Sequence, residues 1–342
     1  MGNIYAWILS HNVHVLAILF ILAIGAPLWV TTYTISLLIE VLIFSIFAIS
    51  LDLLVGYTGL PSFGHAAFFG LGAYIVAYIS GDNELTLGLT KNILLTLPIV
   101  IVGTGLMALL LGILSLRSDG VYFLMITLAF AQMLFSIAMR WSAITGGSDG
   151  LIGVPRPEID LGLWNYTFES RTAFYYFVVI IFAAILFVLH HIVNSPFGLA
   201  LKGIKSNQSR MKSLGYNTLY YKIGAFVIAG VIAGVSGMLL AQFYWHASPE
   251  NLYWTMSGQV LIMVILGGVG TLIGPIIGAI LMRVLPNIMS THTHNWQSYM
   301  GLILIVFVLC APNGIMGILR RRIDCSGIPI VIRMHSGEWG RG

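Results

Sequence analysis

Apolar runs that are long enough to cross a lipid bilayer recur along this chain of 342 residues. A hydrocarbon core of roughly 30 Å needs about 20 apolar residues in a helix. Inside lipid the backbone must satisfy its own hydrogen bonds, which only helices and closed barrels achieve. The runs are continuous rather than alternating, and this favours helices. Because 58% of the residues are hydrophobic and only 8% are charged, an ordinary water-soluble domain is excluded.

Length and polarity predict an all-α integral membrane protein with about ten membrane-embedded helices, within a range of about eight to ten. The N-terminal run is interpreted as a retained first span, because no Lys or Arg precedes it and many spans follow. The transmembrane domain is predicted to occupy residues 1–318, and residues 319–342 are predicted to form a cytoplasmic tail. The predicted segments lie near residues 13–31, 34–55, 62–80, 92–116, 120–141, 171–192, 223–245, 256–268, 273–287 and 297–312.

A basic stretch at residues 195–222 interrupts these apolar segments. It contains five Lys or Arg residues and no acidic residue. Because Lys and Arg in loops stay on the cytoplasmic side of the membrane, the stretch predicts a multi-pass topology with both termini in the cytoplasm. It also offers a cytoplasmic surface to another protein. Its basic residues are Lys202, Lys205, Arg210, Lys212 and Lys222.

The sequence lacks the motifs of nucleotide-binding and hydrolytic enzymes. It contains no Gly-x4-Gly-Lys-[Ser/Thr] phosphate loop, no His-Glu-x-x-His and no Gly-x-Ser-x-Gly. The two histidines at residues 291–294 have no third ligand at a suitable spacing, and Cys310 and Cys325 form no metal-binding pattern. We therefore expect no catalytic residue, no metal site and no cofactor. The basic residues flank the spans, so nucleic acid is not an expected partner.

Two acidic side chains fall inside the second predicted span, where burying a charge costs roughly 2.5–3.5 kcal/mol on insertion scales. Asp52 lies near the cytoplasmic end of the span, where we expect contact with water, and Glu40 lies deeper. Glu40 is a candidate for a wet solute pathway, with a hydrogen bond between helices as the alternative. An ion-coupled carrier would normally need more such residues, which argues against that class of transporter.

Two polar, glycine-rich stretches interrupt the predicted helices. Residues 56–65 follow the second span, and residues 145–151 lie in an outer loop. Irregular backbone at membrane depth is tolerated only where protein covers it or where it lines a cavity. Free N–H groups in such turns can bind anions or carboxylates. Either stretch, taken alone, is equally consistent with a simple turn.

Together with further blocks, these stretches resemble the branched-chain amino acid ABC transporter permeases of the LivM type, to which urea ABC permeases are similar. The blocks occur in the family's order and cover roughly residues 35–318. They comprise residues 56–59, 62–74, 120–123, 127–130, 145–151, 195–198, 213–217, 266–275 and 311–314.

The resemblance implies the ABC importer permease fold and a transport subunit that is not itself an enzyme. Such a subunit translocates leucine, isoleucine and valine inward across the bacterial inner membrane by alternating access. Its implied partners are a sister permease, two ABC ATPase subunits that bind the ATP, and an extracytoplasmic solute-binding protein. The alternatives are a urea or short-amide importer, an ion-coupled carrier or channel without an ATPase, and a non-transporting scaffold subunit.

The resemblance also assigns the basic stretch as coupling helices that dock on an ATPase. Residues 199–214 are then expected to be helical, with Leu199, Leu201, Ile204, Met211 and Leu214 as apolar contacts and the Lys and Arg side chains facing lipid headgroups and the ATPase. This chain has Ser206–Arg210 where family members usually carry acids, so a more acidic ATPase face or weaker docking is expected. The proposed coupling residues are Lys202, Lys205, Arg210, Met211, Leu214 and Gly215.

Polar residues in the glycine-rich block and on the fifth predicted span are candidates for the solute pathway. Thr127 and Gln132 are polar positions on an otherwise apolar span. A hydrogen bond between helices is the alternative role for each candidate. The predicted pathway residues are Ser62, His65, Tyr122, Thr127, Gln132 and Glu40.

Overall fold

The computed structural model describes Gly25 and residues 31–118, 120–160, 165–293, 295–310 and 314–317. Most of the first predicted segment, at 13–31, lies outside the described residues, and so does the predicted tail at 319–342.

The described part of the chain is built mainly from α-helices. In chain order they are α1 Thr32–Asp52, α2 His65–Ser80, α3 Ile93–Ser115, α4 Val121–Arg140, α5 Ser142–Thr145, α6 Arg171–Asn194, α7 Pro196–Ser206, α8 Gln208–Ser213, α9 Thr218–Tyr244, α10 Trp254–Gly267, α11 Gly274–His292 and α12 Trp296–Cys310.

Every predicted segment from 34–55 onward coincides with one of these helices. Among the described residues, six helices are long and apolar enough to cross a membrane, namely α1 with its C-terminal extension to Thr58, α3, α4, α6, α9 and α11. The helices α2, α10 and α12 are apolar but shorter. The chain is therefore a helical, multi-pass membrane protein, and the count of about ten embedded segments stays a prediction.

The helices α1 and α9 form the centre of the molecule. Their apolar windows are 78% and 72% buried, whereas the window of α4 is 22% buried. Close packing between α2 and α9 depends on glycine, since a side chain on Gly72 would collide with the backbone of Gly234. Small residues at such crossings let helix backbones approach each other in lipid. The peripheral helices keep wide apolar faces for lipid or for partner subunits.

Short strands, which the sequence did not predict, lie in the loops outside the helices. Strand β1 (Leu151–Ile152) pairs antiparallel with β4 (His246–Ala247), and β2 (Glu158–Asp160) pairs antiparallel with β3 (Asn165–Thr167). The glycine-rich stretch at 145–151 leads into β1. The β1–β4 pairing joins loops from distant parts of the sequence, whereas β2 and β3 pair within one loop.

Candidate functional site

The C-terminal end of α1 changes from α-helical to π-helical geometry. A π-helical turn covers Leu53–Thr58 and ends at Gly59, whose φ of 74° is left-handed. A Cβ atom on Gly56 would lie 2.6 Å from the Cα atom of Gly270, which belongs to the link between α10 and α11. The absence of a side chain at Gly56 therefore permits this close approach. Single π-helical turns are frequent at functional sites.

Asp52 joins this turn to the α10–α11 link. Its Oδ1 atom accepts a hydrogen bond from the backbone N–H of Gly270 at 2.6 Å. Its side chain is 0% exposed, so the expectation that Asp52 contacts water is wrong for this structure. The reason is that the link folds over the carboxylate. Leu272, in the same link, has a φ of 46°, and such backbone strain in a non-glycine residue is typical of functional sites.

The predicted coupling stretch is helical and forms two helices, α7 and α8. The Ser195 side chain caps α7 by accepting a hydrogen bond from the N–H of Gly198 at 3.4 Å, and Pro196 occupies the first turn. The helix ends at Asn207, whose Oδ1 atom accepts from the N–H of Arg210 at 2.9 Å and so starts α8. Asparagine side chains favour such caps over helix interiors, which explains the break.

The basic side chains of this stretch reach toward the protein as well as away from it. Lys205 Nζ donates a hydrogen bond to the carbonyl oxygen of Gly56 at 2.6 Å, and Lys202 Nζ lies 5.5 Å from the ring centroid of Tyr57. Lys222 is only 4% exposed and donates to Gln208 Oε1 at 2.8 Å. The expectation that all of these cations face lipid headgroups and an ATPase is therefore wrong for Lys222, which ties α8 to α9.

The apolar side chains of α7 and α8 divide between the core and the surface. Leu201 and Ile204 are buried, whereas Leu199 and Leu214 are 62% and 67% exposed. Met211 lies against Gly203 and so joins the two helices. No described part of the chain covers these two exposed leucines.

Gly215 follows α8 in a left-handed conformation, with a φ of 87° and no atom within 4 Å of a Cβ placed on it. Beside it, a cavity of about 590 Å³ is lined by residues from the end of α3 and from the segment between α8 and α9, including Arg117, Lys212 and Tyr216. This region combines exposed apolar groups, cations and an unobstructed glycine. Its chemistry suits the docking of another protein.

The predicted pathway residues do not meet at one place. Ser62 and His65 are buried where the link after the π-helical turn enters α2. His65 Nε2 lies 2.8 Å from Ser50 Oγ, and the imidazole stacks on Phe47 with a centroid distance of 5.5 Å. Ser62 Oγ accepts from the N–H of Gly64 at 3.2 Å. Both side chains make contacts inside this chain, and their place in a pathway stays a prediction.

The three candidates on α4 differ from one another in exposure. Thr127 is buried and donates to the carbonyl of Leu124 at 3.0 Å. Tyr122 is 74% exposed. Gln132 is half-buried, and its Nε2 atom has no hydrogen-bond partner among the described residues. A pathway role for these residues stays a prediction as well.

Glu40 belongs to a separate cluster in the middle of the membrane helices. The Tyr244 hydroxyl donates a hydrogen bond to Glu40 Oε1. The guanidinium of Arg283, on α11, lies 3.3 Å from the ring centroid of Phe44, and its Nε atom has no hydrogen-bond partner among the described residues. Arg283 is not among the pathway residues predicted from the sequence, which include the acidic Glu40 but no basic side chain. The signal was present, since Arg283 is the only Lys or Arg in the predicted segment 273–287.

Glu40 and Arg283 line a cavity of about 380 Å³ between α1, α10, α11 and α12. Ligand-binding cavities commonly have volumes of about 300–1,000 Å³. The wall combines polar side chains with apolar ones such as Met263, Met282 and Trp296. Charged residues inside membranes usually mark substrate or ion pathways. Among the predicted pathway residues, Glu40 lines this cavity.

The fold and these two sites define a class of protein: a polytopic helical membrane protein with a charged cavity among its helices and an exposed basic helical loop. The chain belongs to the family described as the branched-chain amino acid transport system permease component, which matches residues 33–311.

Relatives of known name agree with this assignment. The chain is 27% identical, over 90% of its length and 76% of the relative's, to the high-affinity branched-chain amino acid transport system permease protein LivM of Escherichia coli. It is 22% identical to a probable LivM of Methanocaldococcus jannaschii, over 80% of this chain and 90% of that protein. The E. coli permease protein LivH is 28% identical over 50% of this chain and 58% of its own length. No solved structure shows a significant match.

Proposed function

We propose that this chain is the membrane-spanning permease subunit of an ATP-driven importer that moves leucine, isoleucine and valine inward. The observation that carries the proposal is the α7–α8 region, with its exposed leucines and the unobstructed Gly215, in a chain of this permease family. The subunit itself performs no ATP hydrolysis. ATP is bound by partner subunits, and solute moves through the membrane helices.

The proposed assembly contains a sister permease, two ABC ATPase subunits and an extracytoplasmic solute-binding protein in a bacterial inner membrane. Support for a sister permease comes from the similarity of this chain to both LivM and LivH. Support for cytoplasmic termini and about ten embedded segments comes from the basic loop at 195–222 and the apolar pattern.

The ATPase is proposed to dock against the exposed leucines of α7 and α8 and the cavity beside Gly215. Lys202 and Lys205 contact the π-helical turn and so hold α7 in place behind this surface. The other proposed coupling residues lie in or beside the surface, namely Arg210, Met211, Leu214 and Gly215. Arg117 and Lys212 give the cavity a positive charge. An acidic segment of the ATPase would complement that charge, which fits the lack of acids in this chain before Gly215.

Motion of the docked ATPase is proposed to reach the membrane helices by two contacts. The first joins Lys205 on α7 to Gly56 in the π-helical turn. The second joins Asp52, one turn earlier in α1, to Gly270 before α11. A displacement of α7 therefore acts on α1 and α11 together, as rigid-body rocking between an outward-open and an inward-open state requires.

The proposal is tested by ATP-driven uptake of radiolabelled leucine into proteoliposomes that contain the complete importer. Uptake is expected to require the ATPase subunits and to disappear in Gly215→Asp, while the variant permease remains in the membrane. Asp tolerates a left-handed backbone better than most residues, and among the described residues nothing lies within 4 Å of its Cβ position. The loss would therefore arise at the partner's surface.

Gly153→Asp is the matched control for backbone strain. Gly153 also has a left-handed φ, of 86°, and open space around its Cβ position, but it lies in an outer loop. The Gly153→Asp variant is expected to be present in the membrane in the same amount as Gly215→Asp and to retain leucine uptake. Leucine uptake without ATPase subunits would contradict the proposal, and ATP-driven uptake of urea in place of leucine would favour the amide-importer alternative.

A further inference from the structure

The cavity between α1 and α11 brings two opposite charges to the same depth in the membrane. Glu40 lies twelve residues before Asp52, and Arg283 lies thirteen residues after Gly270. Asp52 and Gly270 are hydrogen-bonded to each other. Both residues line the same cavity, and Arg283 lies on the ring of Phe44, which follows Glu40 by one helical turn on α1. The two charged residues therefore lie at nearly the same level.

A second contact between these helices lies above the charged pair. The Tyr33 hydroxyl donates to Asn287 Oδ1 at 2.5 Å. The helices are therefore joined by hydrogen bonds at two levels, and Glu40 and Arg283 lie between these contacts along the two helices.

Although both charges face the cavity, they form no ion pair in the part of the chain that the structure describes. The Glu40 carboxylate accepts from Tyr244, and Arg283 lies on the Phe44 ring with its Nε atom unpartnered. A carboxylate and a guanidinium that form no ion pair at membrane depth are unfavourable in free energy, unless a further charged group binds to both of them.

We propose that this cavity is a binding site for the solute during translocation and that it selects zwitterionic α-amino acids with apolar side chains. The inference rests on the proposed import function. Glu40 receives the α-ammonium group, Arg283 receives the α-carboxylate, and the methionine-rich wall receives the aliphatic side chain. Methionine side chains adapt to apolar groups of different shape, which suits several branched aliphatic solutes.

The same charges distinguish this solute from the alternative cargo. Urea and short amides are neutral, so they would leave both Glu40 and Arg283 uncompensated in the cavity. A zwitterion satisfies both with charge-assisted hydrogen bonds. The cavity chemistry therefore favours an amino acid over urea.

The test is protection of a cysteine placed in the cavity wall. Ser36 lines the cavity, and Ser36→Cys is introduced into a complete importer in which Cys310 and Cys325 are replaced by alanine. Leucine is expected to slow the labelling of this cysteine by N-ethylmaleimide several-fold, and urea is expected to have no effect. In Arg283→Gln and in Glu40→Gln, the leucine concentration for half-protection is expected to rise about tenfold or more, the loss of one charge-assisted contact.

Arg140→Gln removes a positive charge and Glu250→Gln removes a negative charge, both at positions outside the cavity. These two variants are expected to leave the protection by leucine unchanged. Arg283→Lys keeps the charge and is expected to bind leucine better than Arg283→Gln.

The inference is overturned if leucine fails to protect Ser36→Cys, or if urea protects it equally, in a preparation that still imports leucine with ATP. Absence of leucine import in the unmodified complex would instead contradict the proposed function. The comparison of leucine with urea needs no change at Arg283, so a variant that fails to fold does not prevent the test.

Discussion

The two carboxylates of α1 occupy opposite kinds of environment on the same helix. Asp52 is buried at the C-terminal end of the helix, where it accepts a hydrogen bond from the backbone of Gly270 and the Gly56 backbone packs against it. Glu40 is partly exposed in an open cavity and is bonded to a tyrosine hydroxyl. Close packing determines the surroundings of Asp52, whereas charged and polar groups surround Glu40. We infer that the C-terminal end of α1 transmits motion, whereas the middle of the helix receives solute.

This contrast predicts different consequences for mutation. At the C-terminal end of α1, a larger side chain or a lost hydrogen bond should reduce both stability and transport, because the close packing there leaves no room for adjustment. In the cavity, a changed polar group should alter solute binding with little effect on stability, because the space around it is already open.

The largest effect is expected for Gly56→Ala. Its Cβ atom would lie 2.5 Å from Asp52 Oδ1 and 2.6 Å from the backbone of Gly270, so the α10–α11 link must move. We expect destabilisation at the upper end of the roughly 1–3 kcal/mol cost of overpacking and loss of leucine uptake, measured by thermal unfolding in detergent and by proteoliposome transport. Gly301→Ala is the control, since nothing lies within 4 Å of its Cβ position. Normal stability of Gly56→Ala would show that the contact is not tight.

Asp52→Ala is expected to have the next largest effect. It removes the acceptor for the Gly270 N–H and leaves that buried donor unsatisfied, at a cost of about 1–3 kcal/mol. Asp52→Asn keeps an oxygen in the same position and should retain most of the stability and uptake. Thermal unfolding of the two variants separates the hydrogen bond from the charge. Equal losses in both would mean that the negative charge, rather than the bond, holds the link.

Lys205→Met is expected to weaken coupling more than folding. It removes the bond to the Gly56 carbonyl but keeps an apolar stem over the turn, so the stability loss should stay within about 0.5–1.5 kcal/mol. The expected result is ATP hydrolysis that proceeds with reduced leucine uptake per ATP. Lys205→Arg retains a donor and should restore part of the ratio. An unchanged ratio in Lys205→Met would exclude this contact from the route between α7 and α1.

The sequence predicted the helices well, since continuous apolar runs leave little alternative in lipid. It predicted the coupling loop from Lys and Arg placement and from the resemblance to the permease family. It did not reveal that Asp52 is covered, because this depends on how the distant α10–α11 link folds back. Nor did it reveal that Lys222 is buried, because this depends on how α8 packs against α9. Arg283 was visible as a cation within an apolar segment, but only the antiparallel alignment of α1 and α11 brings it level with Glu40.

Tyr244→Phe should separate the two environments with the smallest perturbation. It removes the hydroxyl that donates to Glu40 and keeps the ring, which is already 52% exposed, so the stability loss should stay below about 1 kcal/mol. Without this bond the carboxylate is less well positioned, and the leucine concentration that half-protects Ser36→Cys should rise about two- to fivefold. Tyr253→Phe, on a ring outside the cluster, is the control. A stability loss as large as that of Asp52→Ala, with unchanged leucine protection, would make Glu40 a packing contact like Asp52 and would remove the distinction between the two carboxylates.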